Sequence, residues 1–196
     1  MKIIDDFIPV NPFSRPGQLL LDVRAIVIHW VGNARKTAKA VKAYFEGLKT
    51  QNPDDAIEDF YASTQYAINN SDIIRMMPEN EVAYHVGAKT WEYTPRAKSL
   101  CGGFGVSNAK LYGSTPNWYT IGIELNHIDW DGRLSEETYI SAVELTADLC
   151  KRYKLDPKIY VLRHYDVTGK VCPKWFVFHE KDWNCFLGDV SEAMEL

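Results

Sequence analysis

Residues 21–30 read LDVRAIVIHW, an almost continuously apolar run with β-branched side chains at its centre. Such a run suits a strand buried on both faces, as in a sheet covered by helices on each side. It is therefore expected to be a central strand. Asn33 is placed to cap a helix over ARKTAKAVKAYFEGL, where Thr37, Ala38, Val41, Tyr44, Phe45 and Leu48 recur at helical spacing and Gly47 falls near the end. Strand passing straight to helix marks the α/β class.

The same alternation continues along the chain. FYASTQYAI and IIRMM form an expected hairpin across NNSD, residues that accept turn geometry. YTIGIELNH (119–127) reads as another inner strand, with Gly122, Glu124 and Asn126 on one face and Ile121, Ile123 and Leu125 on the other. Ser135 caps a helix whose apolar face runs from Tyr139 to Tyr153, and KIYVL (158–162) is read as a short strand. The closing HEKDWNCFLGDVSEAMEL reads as a final helix, weakened by Gly188. Residues 88–118 mix Gly, Pro, Asn and Ser with aromatics and show no period, as in an ordered loop beside a site.

Composition excludes several classes. The chain has 196 residues, 46% of them apolar and 24% charged, which suits one globular domain and neither disorder nor a fibre. The net charge is −4 and the basic residues are scattered, so no nucleic-acid footprint exists. No apolar run is long enough for a membrane span, and MKIIDDFIPV does not resemble a signal peptide, so synthesis in the cytoplasm is expected. The four cysteines include no CxxC pair, and Cys150 and Cys185 are expected to be small buried hydrophobes.

Chemistry concentrates at the ends of the inner elements. His29 ends the first strand, Glu124 lies within another, and RHYDVTGKVCP (163–173) gathers His164, Lys170 and Cys172 just after KIYVL. Ligands collect beyond the carboxyl ends of strands in α/β sheets, so these residues can converge. Two imidazoles and a thiolate would then supply the three protein ligands of a catalytic zinc, with Glu124 as proton acceptor and Lys170 for a developing oxyanion. Alone, His29 would more often be a satisfied rim residue, and the His164 to Cys172 spacing is no known metal motif. Glu124 is harder to explain structurally, because an acid in an apolar strand loses solvation worth more than the roughly 2–7 kcal/mol of a neutral polar group. His85, in AYHVG, is open as a ligand, a substrate contact or a loop residue; His127 is left out of the metal set and His179 is placed at the surface.

Taken in order, IVIHW, AYHVG, IGIEL and RHYDVTGKVCP resemble the type 2 N-acetylmuramoyl-L-alanine amidases, zinc enzymes related to peptidoglycan recognition proteins and to amidase-type phage lysins. The resemblance spans about residues 20–176. It implies a single α/β domain over residues 1–196, with a central mixed β-sheet flanked by helices and a C-terminal helix over about 179–194. It implies Zn2+ held by His29, His164 and Cys172, with Glu124 and Lys170 catalytic. His85 and Trp30 are implied to bind substrate, and Trp91, Tyr93 and Trp118 are further candidates to line the groove. Some relatives carry a catalytic tyrosine on the strand that reads STQYAI here; neither Thr64 nor Tyr66 is assigned a role.

The implied reaction is hydrolysis of the amide between N-acetylmuramic acid and L-alanine in bacterial peptidoglycan, by a monomer acting at the cell wall after release. Rival readings are a muropeptide-binding module without turnover and a zinc peptidase cutting within the stem peptide.

Overall fold

The apolar run folds into β2 (Ala25–Trp30), buried from Ala25 to His29, in a computed structural model that describes residues 2–34, 36–55, 57–89, 92–101 and 115–195. It pairs in parallel with β5 (Thr120–Leu125) on one side and with β6 (Val161–Arg163) on the other. With β1 (Ile3–Asp5), β3 (Tyr66–Asn69) and β4 (Asp72–Arg75), the described residues form a six-stranded sheet in the order β1-β4-β3-β5-β2-β6. The expected central strand is thus interior, one place in from the β6 edge. Among the described strands only β3 and β4 pair antiparallel, as the hairpin reading requires, around Asn70 at a φ of 52°.

Alternation along these strands builds a different core on each face. Ile26, Ile28, Ile121, Ile123, Tyr66 and Ile68 point to one face, where α3 (Glu136–Tyr153) and α7 (Glu180–Ala193) complete the larger cluster. Ala25, Val27 and Leu162 point to the other, beneath α2 (Pro95–Cys101) and α5 (His164–Thr168). On that same face Ala67 and Ile74 pack under α1 (Ala38–Gly47). Each fully buried isoleucine or valine contributes about 1.5–3 kcal/mol, and a one-residue slip would turn the whole set to the wrong face. The register is therefore fixed by packing.

Local signals account for most element boundaries. Ser135 caps α3 by accepting from the Thr138 N–H, and Glu136 and Glu137 lie in its positively polarised first turn. The first helix begins later than expected: its cap is Thr37, which accepts from the Ala40 N–H, and not Asn33. Tertiary contacts delay it. The Val31 N–H donates to Leu125, the Val31 carbonyl faces His127, and Asn126 donates to the Lys36 carbonyl, so this backbone is tied to the end of β5.

KIYVL also differs from its strand reading. Asp156 caps a helical turn, α4 (Pro157–Tyr160), with Pro157 at its first position, and only Val161–Arg163 is strand. The aperiodic stretch 88–118 contains α2 and a 3-10 turn at Pro116–Trp118; residues 102–114 and Trp91 lie outside the described residues. A short helix, α6 (Lys174–Phe178), precedes α7. Cys150 is buried as expected, whereas Cys185, on α7, is exposed. No described helix is long and apolar enough to cross a membrane.

Candidate metal centre and cleft

Three parallel strands end side by side. His29 is the register partner of Glu124, and Ile28 is the partner of Arg163, so His164, the next residue, leaves β6 level with His29. Parity puts His29 on the face of Ala25 and Val27, Glu124 on that of Thr120 and Gly122, and His164 on that of Leu162. All three share the face on which α1 covers β3 and β4 while α2 and α5 lie on the β2 side. The sheet between those helices is left as a cleft.

Cys172 reaches the same place from the segment that follows α5. Arg163, buried at 7% exposure, anchors this segment: its N–H and guanidinium bind Asp166, and the guanidinium also holds the Phe176 carbonyl and Glu180. Gly169, at a φ of 78°, ends α5 in a left-handed conformation that favours glycine. The chain then returns, and the Tyr165 N–H donates to the Cys172 carbonyl at 2.9 Å.

His29 Nδ1 lies 3.1 Å from His164 Nδ1 and 3.8 Å from Cys172 Sγ. The three donor atoms lie within 4.8 Å of one another, and among the described residues no other such group of His, Cys, Asp or Glu is found. In a tetrahedral zinc shell with bonds of about 2.0–2.1 Å to nitrogen and about 2.3 Å to sulfur, ligand atoms stand about 3.3–3.6 Å apart. The two separations from His29, 3.1 and 3.8 Å, fall on either side of that range, and two imidazoles with one thiolate suit zinc better than magnesium or calcium.

The electrostatics agree with a ligand set. Burial, reinforced by His164 and His85, holds His29 well below the ordinary imidazole range. Burial and Lys170 bring His164 down to about 3, so both rings are neutral with a lone pair to offer. Burial, with Glu124 adding to it, pushes the Cys172 thiol up to about 12, the state from which a divalent cation would draw the proton.

Glu124 carries the clearest sign of a site. Its Oε2 is shielded from solvent without a hydrogen-bond partner, and burial raises its carboxyl to about 8 against the opposing charge of Lys170. A cleft of about 380 Å³ is lined by His29, His85, Glu124, His164, Lys170 and Cys172, so the structure gathers the predicted metal, acid and cation positions. It continues into a space of about 500 Å³ walled by Trp30, Lys36, Tyr44, Phe45 and Phe60. Trp30 borders both. Its ring packs on His127 at 4.7 Å, and a Cβ at Gly132 would come within 2.8 Å of it. Both His127 ring nitrogens face backbone carbonyls, of Asp129 and Val31, away from the ligand cluster. His179 is exposed between α6 and α7.

The remaining candidates divide. His85 reaches the cleft wall, yet both its ring nitrogens are engaged inside the protein, with His29 Nε2 at 2.9 Å and Thr120 Oγ1 at 3.0 Å. Tyr93 and Trp118 are buried and do not border the cleft; the Tyr93 hydroxyl donates to the Val86 carbonyl. Tyr66 faces the opposite side of the sheet and donates to Glu79, while the Thr64 hydroxyl donates to the Tyr66 carbonyl. Thr120 and Gly122 were not singled out by sequence for a site. Their signal was present, since both share the parity of Glu124 on one strand.

Known proteins resemble this chain along most of its length. The profile of the N-acetylmuramoyl-L-alanine amidase family matches residues 20–175. N-acetylmuramoyl-L-alanine amidase CwlL of Bacillus licheniformis is 35% identical over 194 residues, covering 99% of this chain and 48% of that protein. N-acetylmuramoyl-L-alanine amidase BlyA of Bacillus subtilis is 28% identical over 190 residues, covering 97% of this chain and 47% of its own length. The chain thus spans about half the length of these curated relatives. Among solved structures, the PlyG catalytic domain matches at a TM-score of 0.68 and 17% identity, covering 99% of this chain and 96% of that one. A mutant endolysin from Bacillus subtilis matches at 0.65 and 22%, covering 97% and 99%. These likenesses establish the fold, a mixed sheet between helices. With a family profile over most of the chain and a relative at 35% identity along almost its whole length, the chain belongs to the N-acetylmuramoyl-L-alanine amidase family.

Proposed function

We propose that the chain hydrolyses the amide between the lactyl group of N-acetylmuramic acid and L-alanine in bacterial peptidoglycan, using zinc held by His29, His164 and Cys172. The observation that carries this reading is the convergence of three metal-competent donor atoms beside a shielded, unpartnered carboxyl oxygen. Bound there, zinc would act as a Lewis acid, polarising a carbonyl and making water a nucleophile near neutral pH. The chain's own groups complete the reaction. In its ionised form Glu124 accepts at Oε2 the proton of the attacking water as the new carbon–oxygen bond forms, and returns it to the amide nitrogen as the carbon–nitrogen bond breaks. Lys170, whose ammonium borders the same cleft, compensates the negative charge that develops on the carbonyl oxygen. The aromatic wall of Trp30, Tyr44 and Phe60 gives the glycan and peptide an apolar surface to pack on.

We place the site of action at the bacterial cell wall and take the chain to act as a monomer. Labelling of new amino termini after digestion of purified cell wall tests the bond assignment. Free L-alanine termini are expected; termini of another stem residue would establish a peptidase, and no new termini a binding module.

A further inference from the structure

The proposed zinc needs one particular protonation of His29: Nδ1 must be bare, so the ring proton must sit on Nε2. A buried hydrogen-bond chain behind the ligand supplies that condition. His29 Nε2 lies 2.9 Å from His85 Nδ1, His85 Nε2 lies 3.0 Å from Thr120 Oγ1, and Thr120 Oγ1 lies 2.9 Å from the Pro116 carbonyl oxygen. A carbonyl oxygen can only accept. The Thr120 hydroxyl therefore donates to Pro116 and must accept from His85, which puts the His85 proton on Nε2. His85 Nδ1 is then bare and can only accept from His29 Nε2–H. With the opposite polarity the His29 proton would sit on Nδ1, facing His164 and Cys172, where no ion could be held.

The surroundings hold this chain in place. The N–H groups of His85 and Val86 both donate to Asn117 Oδ1, at 3.1 and 2.9 Å, which fixes the backbone that presents the ring. Gly122 leaves room for it: a Cβ there would stand 2.8 Å from His85 Nδ1. Because both of its ring nitrogens are committed within the protein, His85 has no ring donor or acceptor left for substrate.

We propose that His85 and Thr120 are positioning residues that lock His29 in the Nε2–H form and aim its Nδ1 lone pair at the metal position. The inference rests on the zinc reading above. Loss of an outer partner of a metal-bound histidine lowers metal affinity by about 10–100-fold.

The test is zinc affinity of the full chain by chelator competition, compared among native protein, Thr120→Val and Thr120→Ser. Thr120→Val keeps the shape and removes the hydroxyl, so affinity is expected to fall about 10–100-fold, while Thr120→Ser stays close to native. Nitrogen-15 NMR of the histidine rings of native, zinc-loaded protein is read alongside, and holds even if the valine variant does not fold. The expected signature is a proton on Nε2 of both His29 and His85. Native affinity in Thr120→Val, or a proton on His85 Nδ1 in the native protein, overturns the inference alone. Failure of the native chain to take up zinc overturns the metal reading as well.

Discussion

His29 and Glu124 are register partners across the parallel β2–β5 pair, and their side chains leave the same face of the sheet. One sits among the metal-competent donors and the other presents an unpartnered carboxyl oxygen to the same cleft. Their separation is set by backbone pairing, so it does not depend on the presence of the ligand.

Because Glu124 is outside the donor set, metal binding and proton transfer should separate by mutation. Glu124→Ala is expected to retain zinc at native stoichiometry while amide hydrolysis falls about 10²–10⁴-fold, the range for loss of a general acid or base. Metal analysis and product release on one preparation check this. Loss of zinc from the variant would place Glu124 among the ligands.

Cys172→Ala should lose both properties. It removes the one sulfur donor among His29, His164 and Cys172, and leaves two nitrogens that cannot close a catalytic zinc shell. Equilibrium dialysis followed by metal analysis measures the first loss, and digestion of cell wall the second. A zinc-loaded variant that released peptide at the native rate would exclude Cys172 as a ligand.

Glu124 also predicts a pH dependence of stability in chelator-treated protein. Burial raises its carboxyl from the ordinary 4.5 to about 8, with Lys170 opposing the shift. Between those two values the unfolded chain has released the proton that the folded chain still holds, so stability falls as pH rises through the window. Glu124→Gln has no such proton to lose. Its melting temperature relative to native should therefore rise from pH 4.5 to pH 8 and level off above, and parallel melting curves across this range would contradict the burial of the carboxyl.

The sequence announced those features whose physics is local or periodic. β2 and β5 were legible because burial on both faces demands unbroken apolar runs, and Glu124 stood out as an acid inside one of them. Ser135 and its acidic first turn marked α3. What stayed hidden depends on tertiary contacts. The first helix yields its expected start at Asn33 because the Val31 and Lys36 carbonyls are tied to residues at the end of β5. The part of β6 that remains strand is only three residues, too short for a period to show. His85 stayed open as a ligand, a substrate contact or a loop residue because its sequence neighbours say nothing of His29, 56 positions earlier, or of Thr120, 35 positions later. Strand order brought them together, and a single sequence does not carry it.

The most direct test of the whole account is mass spectrometry of peptidoglycan incubated with the native chain, with and without a zinc chelator. Zinc-dependent release of stem peptides beginning at L-alanine, abolished by chelator and restored by added zinc, is the predicted result. Release that persists in full under chelation, or fragments cut at any other bond, would contradict it.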